Sequence, residues 1–327
     1  MAIRIEFERY GGPDVLNVVN YFPSNPKKNE IQIENHAIGV NFIDIYVRSG
    51  LYPVDCLPSS LGIEAAGIVV KTGSNVINFK PGDRVVYAQS TLGAYSEIHN
   101  VSENLVVLLP DCISFIEAAS CFLKGLTVYY LFNQTYKIKR NEMFLFYAAA
   151  GGVGIIACQW AKYLGAKLIG IVSSEYKASL AKERGAWEVI NYKTENIVNR
   201  VNELTNGEKV NVVYDSVGQE TWLNSLSSLK RKGLMVSFGN SSGPIVNVNL
   251  DILNKNGSLY VTRPSINSYI TNREELNKAS KILFNMILNG IFDIKARKSQ
   301  ILPLKDAQKI HTIIELRKNY GSSLLIT

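Results

Sequence analysis

A stretch of nineteen residues without a charged side chain, Met143 to Ala161, constrains the fold of this chain more than any other feature. Its length alone would allow a membrane-spanning helix. However, Gly151, Gly152 and Gly154 lie in the middle of the stretch, where they would weaken a helix but suit a turn between a strand and a helix. We therefore predict a buried strand, a loop and a buried helix, with no insertion into a membrane.

Alternating strand and helix patterns continue from this stretch to about residue 262. Strands are predicted at 143–147, 167–172, 188–190, 210–214, 234–238 and 258–262, and helices at 155–164, 176–184, 196–204 and 222–229. Strands separated by helices of about ten residues are typical of a parallel sheet with helices on both faces. The predicted fold class is therefore α/β, with a doubly wound parallel domain.

The first 100 residues follow a different pattern. Short apolar or alternating runs at 3–7, 31–38, 65–71 and 84–88 are separated by Gly, Pro and Asn, which predicts a β-barrel or sandwich. A helical pattern at 115–132 precedes the change, so we place a domain boundary near 124. The predicted domains are 1–124, 125–265 and 266–327. The last segment contains a helix at 273–289 and a strand at 324–326, and it could return to the first domain.

Charge and cysteine content restrict the class of protein. Thirty-five Lys and Arg against 28 Asp and Glu leave a net charge of +7, but the excess is spread along the chain, so a nucleic-acid partner is not favoured. The four cysteines form no C-x-x-C pair, and the sequence MAIRIEFERY has no apolar signal core. We expect a cytoplasmic protein with buried, unpaired cysteines.

The glycine cluster fits a dinucleotide fingerprint. Residues 149–154 read Ala-Ala-Gly-Gly-Val-Gly, which is G-x-G-x-x-G with Ala149 in place of the first glycine. In such a loop Gly151 lets the backbone approach a pyrophosphate, Gly154 lets the helix pack on the strand, and the helix N-terminus faces the phosphates. The position between a predicted strand and a predicted helix makes this weak motif a strong one.

The residues after the second strand of this domain bear on which dinucleotide binds. NAD-dependent enzymes usually place an acid there, about 20 residues after the glycines, to bind the ribose diol. This chain has Ser173 and Ser174, followed by Lys177, which can donate to a 2′-phosphate and balance its charge. NADPH is therefore favoured, although Glu175 could weaken the preference.

Several motifs together resemble the quinone oxidoreductase or zeta-crystallin group of the medium-chain dehydrogenases/reductases. They extend over essentially the whole chain and comprise Asn41 to Tyr46, Gly82 to Val85, Gly125 to Thr127, Asn141-Glu142, Leu145, Ala149 to Gly154, Gln159, Lys162, Tyr214 to Gly218 and Arg263 to Ser265. The resemblance implies a GroES-like β-barrel catalytic domain with an inserted Rossmann domain. It also implies NADPH-dependent reduction of quinones, and a homodimer joined through the edge of the Rossmann sheet.

Zinc-dependent alcohol dehydrogenases share the fold that this resemblance implies. They bind zinc through a Cys three residues before an Asp, a Gly-His-Glu motif and a later Cys. Here Asn41 precedes Asp44, and the second motif reads Gly62-Ile63-Glu64. With three histidines and no Cys cluster, no other tetrahedral set is evident, so we expect no metal. Oxidation of an alcohol would need a group that stabilises the alkoxide, whereas a quinone accepts a hydride more readily.

The resemblance also implies where the ligands bind. Asn41 and Tyr46 are expected at the nicotinamide, as the candidate catalytic residues, and Tyr52, Tyr95 and Thr127 are candidates for lining the substrate pocket. The further residues expected to contact the cofactor are Phe42, Tyr130, Gly151, Gly152, Val153, Gly154, Ser173, Ser174, Lys177, Tyr192, Val217, Phe238, Gly239, Asn240, Ser241, Arg263, Pro264, Ser265 and Arg317. Asp215 could touch the cofactor or hold a loop.

Two other functions stay open at this point. An enone or 2-alkenal reductase would need the same fold and the same cofactor, because both kinds of acceptor need only a flat apolar site. A binding role is the alternative from a different class, since zeta-crystallin relatives bind RNA or serve as structural proteins. No RNA-recognition motif or basic stripe interleaved with aromatic residues supports that role.

Overall fold

The computed structural model describes residues 1–294 and 296–327, which form two compact units. The first unit comprises Met1–Leu126 and Ile270–Thr327, and the second comprises Thr127–Tyr269. The sequence prediction placed the two boundaries after residues 124 and 265. We describe each unit in turn.

Sixteen strands are present in the described residues. In chain order they are β1 (Ala2–Phe7), β2 (Asn17–Tyr21), β3 (Glu30–Val40), β4 (Ser59–Ser60), β5 (Ala65–Thr72), β6 (Arg84–Tyr87), β7 (Ile98–Ser102), β8 (Val106–Leu108), β9 (Met143–Tyr147), β10 (Lys167–Val172), β11 (Glu188–Asn191), β12 (Val210–Asp215), β13 (Leu229–Ser237), β14 (Tyr260–Thr262), β15 (Ile301–Pro303) and β16 (Ser323–Ile326).

The α-helices of the described residues number ten. They are α1 (Phe42–Arg48), α2 (Phe115–Tyr130), α3 (Gly152–Leu164), α4 (Glu175–Glu183), α5 (Ile197–Leu204), α6 (Trp222–Ser227), α7 (Asp251–Lys255), α8 (Ile266–Tyr269), α9 (Arg273–Leu288) and α10 (Ala307–Glu315). A π-helical turn, Leu131–Thr135, continues α2.

The first unit is built on a seven-stranded sheet. Its order is β15-β16-β3-β5-β6-β8, with β7 paired to β3, and β2-β1-β4 form a separate three-stranded sheet. The C-terminal strand β16 pairs antiparallel with β3, where Leu325 lies opposite Ile38. Apolar side chains from β3, β5, β6 and α10 fill one core, so the last segment of the chain completes the sheet of the first unit.

The second unit is a six-stranded parallel sheet in the order β11-β10-β9-β12-β13-β14. This confirms the predicted doubly wound α/β domain. The largest shift of a predicted boundary is at the end of α6, which ends at Ser227, so that β13 begins at Leu229, five residues before the predicted strand. The short helices α7 and α8 were not predicted, and β14 begins two residues later than predicted. Leu229 is buried and pairs with Val210, and the register then shifts before Leu234. Burial of Leu229 therefore decides where the helix ends.

The uncharged stretch that opened the analysis is a strand, a loop and a helix, as predicted. Within the described residues, one helical segment, Phe115–Thr135, is long and apolar enough to cross a membrane. Of the 18 residues that form its apolar part, 78% are buried. A core helix of a globular protein is buried in the same way.

Candidate active site

The glycine loop of the second unit joins β9 to α3. Gly151 precedes the first residue of α3. A Cβ added to Gly154 would lie 2.3 Å from the carbonyl oxygen of Ala148, so only glycine allows α3 to approach the strand end this closely. The first N–H groups of a helix have no partner within it and favour an anion. This loop therefore has the geometry of a phosphate-binding turn.

A second glycine explains how alanine is accommodated at the first fingerprint position. The side chain of Ala149 is fully buried. A Cβ at Gly170, in the neighbouring strand β10, would lie 2.6 Å from the Ala149 methyl carbon. The missing side chain at Gly170 therefore provides the space that Ala149 needs, and the loop keeps its shape.

Two strand ends bring together the residues expected at the adenosine phosphate. Ser173 and Ser174 follow β10, and Ser174 Oγ accepts a hydrogen bond from the backbone N–H of Lys177 at 3.3 Å, which caps α4. Tyr192 follows β11, and its N–H donates to the Val172 carbonyl at 3.1 Å. Ser173, Ser174 and Tyr192 thus lie at the carboxyl ends of adjacent strands, where open parallel sheets bind ligands, and Lys177 lies in the first turn of α4.

The acid beside these residues already has a partner. Glu175 Oε1 accepts a hydrogen bond from Asn191 Nδ2 at 2.6 Å, and Asn191 is 5% exposed. The Asn191 Oδ1 atom in turn accepts from the Lys193 N–H at 3.2 Å. Asn191 therefore ties the Glu175 carboxylate to the end of β11, which reduces its availability as an acceptor for a ribose diol.

Asp215 at the end of β12 holds a loop. Its Oδ1 accepts from the N–H groups of Val217 and Gly218 at 2.7 and 3.2 Å, and its Oδ2 accepts from the hydroxyls of Thr221 and Ser225 at 2.7 and 2.6 Å. These four donors occupy both oxygens of a fully buried carboxylate. Of the two roles the sequence left open for Asp215, the structure shows the loop-holding one.

The other strand ends of the second unit carry the remaining residues expected at the cofactor. Phe238, Gly239, Asn240 and Ser241 follow β13, and Arg263, Pro264 and Ser265 follow β14. The Arg263 guanidinium donates to the Ser237 carbonyl at 2.7 Å, which links these two loops. Tyr130 stacks on Tyr269 with ring centroids 4.9 Å apart.

In the first unit, the turn from β3 into α1 carries the residues expected at the nicotinamide. Asn41 precedes α1, and its N–H donates to Asp44 Oδ2 at 2.8 Å. The ring of Tyr46 packs against those of Phe42 and Tyr52, with centroids 5.9 and 5.3 Å away. The structure therefore brings Asn41, Phe42, Tyr46 and Tyr52 together around the start of one helix.

A buried ion pair lies behind Asn41. Its Nδ2 donates to Glu64 Oε2 at 2.8 Å, and Lys124 Nζ lies 3.5 Å from the same oxygen. Glu64 is fully buried and Lys124 is 5% exposed. The side chain of Asn41 is thus fixed by a charged pair from two distant parts of the chain.

Asp44 belongs to a second buried network. Burial raises the pKa of its carboxyl to about 7, against the opposing effect of hydrogen bonds from the Asn41 N–H and the Tyr95 hydroxyl. The Tyr95 hydroxyl also lies 3.1 Å from His311 Nε2, and His311 Nδ1 lies 3.1 Å from Arg48. Burial and the nearby Arg48 charge lower the pKa of His311 to about 3, so the imidazole is neutral at pH 7.

This network corrects one expectation. Tyr95 is fully buried in the core, and its hydroxyl is used by Asp44 and His311. A ring without exposed surface cannot line a substrate pocket, so Tyr95 is a structural residue. The cysteines also need correction, because Cys121 and Cys158 are buried as expected whereas Cys56 and Cys112 are exposed.

Comparisons with known proteins match the chain over its full length. Two family models fit, an alcohol dehydrogenase GroES-like domain at residues 27–111 and a zinc-binding dehydrogenase at residues 152–285. Quinone oxidoreductase 1 of Escherichia coli (strain K12) is 61% identical over 326 residues, which cover 100% of both chains. The chain belongs to the quinone oxidoreductase family. This confirms the resemblance found in the sequence, and with it the medium-chain dehydrogenase/reductase fold.

Two further relatives are informative within this family. The crystal structure of Escherichia coli quinone oxidoreductase complexed with NADPH has a TM-score of 0.99 and 61% identity, and the match covers 99% of this chain and 100% of that one. A 2-haloacrylate reductase of a Burkholderia species is 36% identical over 332 residues, covering 100% of this chain and 99% of that protein.

The zinc-binding description of one family model can be tested against the residues of this family member. Glu64 accepts hydrogen bonds from Asn41 and from the Leu123 N–H at 2.6 Å, and it pairs with the Lys124 ammonium. Glu64 is the only acid among these residues, and its charge is already balanced by the Lys124 ammonium. The ammonium would repel a metal cation at the same carboxylate. Across residues 1–294 and 296–327, no three His, Cys, Asp or Glu side chains are grouped to hold a metal ion. The residues therefore do not fit a zinc site.

Lys124 is the residue of this site that the sequence reasoning missed. It is the only charged residue in the run Ala118 to Tyr130, which is otherwise largely apolar. A single lysine inside a buried helix needs an acid as partner, so this pattern could have indicated the ion pair with Glu64. Of the remaining expected residues, Thr127 is in α2, and Arg317 is exposed and follows α10 with a φ of 54°.

Proposed function

We propose that this protein reduces quinones with NADPH as the electron donor. The observation that carries the proposal is the end of the parallel sheet in the second unit, where a phosphate-binding turn lies beside two serines and a lysine. Because Asn191 donates to Glu175 Oε1, this acid is less available to accept from the ribose diol of NADH. The names of the quinone oxidoreductase relatives and the NADPH complex of one of them support the same function.

Each part of the cofactor would be held by residues suited to it. When bound, NADPH supplies a hydride from its nicotinamide ring. The N-terminus of α3, with Gly151 to Gly154, would bind the pyrophosphate. The 2′-phosphate would lie against Ser173, Ser174, Lys177 and Tyr192, with Arg317 as a further candidate. In the first unit, Asn41, Phe42 and Tyr46 are assigned to the nicotinamide. In the second unit, Tyr130 is assigned to the pyrophosphate side, Thr127 to the substrate pocket, and Val217 with the loops 238–241 and 263–265 to the rest of the cofactor.

The acceptor would be positioned rather than activated. Tyr52, which is half-buried and packs against the buried Tyr46, offers aromatic surface that suits a flat ring. Alignment alone supplies much of the rate when the acceptor takes a hydride readily. Glu64 accepts a hydrogen bond from Asn41 and pairs with Lys124, so these residues are not available as zinc ligands. We therefore propose a zinc-independent reaction. Alcohols, whose oxidation needs a group to stabilise an alkoxide, should be poor substrates.

We also propose a cytoplasmic homodimer joined through β14. This edge strand of the parallel sheet exposes Tyr260 and Val261 to 62% and 40%, and Leu250, just before α7, is 72% exposed. An exposed apolar edge strand is a template for pairing with a second copy. The variant Val261→Lys should therefore be monomeric by light scattering, whereas an unchanged mass would contradict pairing through this edge.

The function can be tested in one titration. Protein dialysed against a chelator is titrated with NADPH and with NADH while its intrinsic fluorescence is recorded, and 1,4-benzoquinone is then added. We expect tighter binding of NADPH and its rapid oxidation by the quinone. Binding without oxidation would contradict the proposed acceptor, and failure to bind either dinucleotide would contradict the assignment of the glycine loop.

Reduction of an activated alkene is the second candidate. The 36% identical relative named 2-haloacrylate reductase shows that the whole fold is shared with a protein of that description. Turnover of a simple enone in place of benzoquinone decides between the two. A higher kcat/KM with the enone would favour the second candidate.

A further inference from the structure

The ion pair behind Asn41 is built into the fold of the first unit. Glu64 Oε1 accepts the Leu123 N–H at 2.6 Å, and Oε2 accepts from Asn41 and faces the Lys124 ammonium at 3.5 Å. A Cβ at Gly39 would lie 2.1 Å from Glu64 Oε2, so the glycine provides the space for the carboxylate. The Leu123 N–H, the Asn41 amide and the Lys124 ammonium are all hydrogen-bond donors. Both oxygens of Glu64 therefore act as acceptors.

The partners of the Asn41 amide determine which way it points. Its Nδ2 donates to Glu64 Oε2 at 2.8 Å and to the Gly39 carbonyl at 3.3 Å. A carboxylate and a backbone carbonyl can only accept, so the amide nitrogen must lie on their side, and both of its hydrogens are used there. The Oδ1 atom consequently lies on the opposite side of the amide group, where it faces the Asp44 N–H in the capping box of α1 and keeps a second lone pair.

We infer that Glu64, supported by Lys124, is a positioning residue that makes Asn41 present a hydrogen-bond acceptor to the bound cofactor. This rests on the proposed function, in which Asn41 contacts the nicotinamide. The cofactor group that fits an acceptor is the N–H₂ of the nicotinamide carboxamide. A quinone oxygen does not fit, because it is itself an acceptor. Asn41 therefore orients the hydride donor and makes no hydrogen bond to the quinone.

The substitution Glu64→Gln tests this orientation at constant volume. If the introduced amide keeps its contact with the Leu123 N–H through its oxygen, its N–H₂ faces Asn41, and the Asn41 amide must turn over to accept it. A donor would then face the carboxamide N–H₂. We expect kcat/KM for NADPH to fall about tenfold, the size expected when one hydrogen bond is replaced by an unsatisfied donor.

A double-mutant cycle separates positioning from a structural role. Asn41→Ala should reduce kcat/KM by a similar factor, and Glu64→Gln should cause no further loss in the Asn41→Ala protein. An equal loss in both backgrounds would overturn the inference, because Glu64 would then act independently of Asn41. If Asn41→Ala has no effect while the wild type is active, the inference fails although the proposed function stands. An inactive wild type would instead contradict the proposed function.

A cofactor analogue identifies the group that Asn41 binds. The 3-acetylpyridine analogue of NADPH has a methyl group in place of the carboxamide N–H₂. By calorimetry, the wild type should bind NADPH more tightly than the analogue, and this ratio should approach one in Asn41→Ala and Glu64→Gln. An unchanged ratio in both variants would overturn the assignment to the carboxamide and point to another donor, such as a ribose hydroxyl.

Two controls guard against loss of folding. Glu64→Gln leaves Lys124 buried without a counter-charge, so the cycle is repeated with Glu64→Gln/Lys124→Met, in which neither side chain is charged. The same loss of carboxamide selectivity is expected in that protein, and retention of wild-type selectivity would overturn the inference. The matched control is Glu34→Gln, an exposed acid on the same strand as Gly39, which should leave kcat/KM and the analogue ratio unchanged.

Discussion

The two units position their candidate site residues by different means. In the second unit, the glycine loop, Ser174 and the loop after β12 follow strands that are neighbours in the sheet, and contacts with residues close in the chain set their shape. In the first unit, Asn41 is oriented by Glu64, which is 23 positions along the chain, and by Lys124, which is farther still. A site of the first kind can be recognised from a short motif, whereas a site of the second kind depends on the completed tertiary fold.

The largest loss of stability is expected when a side chain is added in the glycine loop of the second unit. In Gly154→Ala the new Cβ would lie 2.3 Å from the Ala148 oxygen, so the helix must move away from the strand. We expect the free energy of unfolding to fall by about 3 kcal/mol and NADPH binding to be lost. Gly151→Ala, whose Cβ would be 3.2 Å from the same oxygen, is the comparison and should remain near wild-type stability. Equal stability of both variants in urea unfolding would contradict the packing role of Gly154.

The next effect concerns the adenosine end of the cofactor. Lys177→Ala should weaken NADPH binding about 10- to 100-fold, because a charge-assisted contact to the 2′-phosphate is lost, and should change NADH binding less than about twofold. Lys182→Ala removes the same charge from the last turn of the same helix and serves as the control. Fluorescence titration of the wild type and both variants with NADPH and NADH measures the six dissociation constants. Equal losses for NADPH and NADH would refute the phosphate contact.

The buried Asp44 gives the first unit a characteristic pH dependence. Its pKa of about 7 exceeds the unfolded value of about 3.9, so the folded protein binds more protons between these pH values. Its contribution to stability is therefore present at low pH and is lost as the pH rises through this window. The charged groups that act on Asp44 are Glu64, which raises its pKa, and Lys124, which lowers it.

The substitution Asp44→Asn removes this titration. Between pH 5 and pH 8, the wild type should lose on the order of 2 kcal/mol of stability relative to Asp44→Asn. His99 and His311, whose pKa values burial lowers to about 4 and about 3, act in the opposite direction but are common to both proteins. Denaturant unfolding across this pH range measures the difference. A constant difference would show that Asp44 is not responsible.

The smallest effect is expected at Asp215. In Asp215→Asn one oxygen becomes an N–H₂ group, which the hydroxyls of Thr221 and Ser225 can accept by rotating, whereas the N–H groups of Val217 and Gly218 keep the remaining oxygen. We expect a loss of about 1 kcal/mol in stability and a few-fold weaker NADPH binding. A loss of binding as large as that of Lys177→Ala, at unchanged stability, would indicate that Asp215 touches the cofactor.

The contrast between the units also explains how much the sequence could predict. The parallel sheet followed from alternating patterns, because periodicity and glycine placement are local properties. The early end of α6 was missed because burial of Leu229 against β12 is a tertiary effect. Tyr95 was misassigned for a similar reason, since its partner His311 is 216 positions away.

The cofactor contacts taken from family resemblance stay predictions. Physical reasoning from the sequence could propose the glycine loop and the serines after β10 directly. It could not orient Asn41, because the directions of its hydrogen bonds depend on which acceptors the fold places behind it.

The most direct test of the contrast between the two sites uses the adenosine half of the cofactor alone. Binding of adenosine 2′,5′-bisphosphate is measured by calorimetry for the wild type, Lys177→Ala and Asn41→Ala. We expect Lys177→Ala to weaken the fragment about as strongly as it weakens NADPH, and Asn41→Ala to leave the fragment unaffected. Weaker binding of the fragment to Asn41→Ala would contradict the account, because the site in the first unit would then influence the adenosine end.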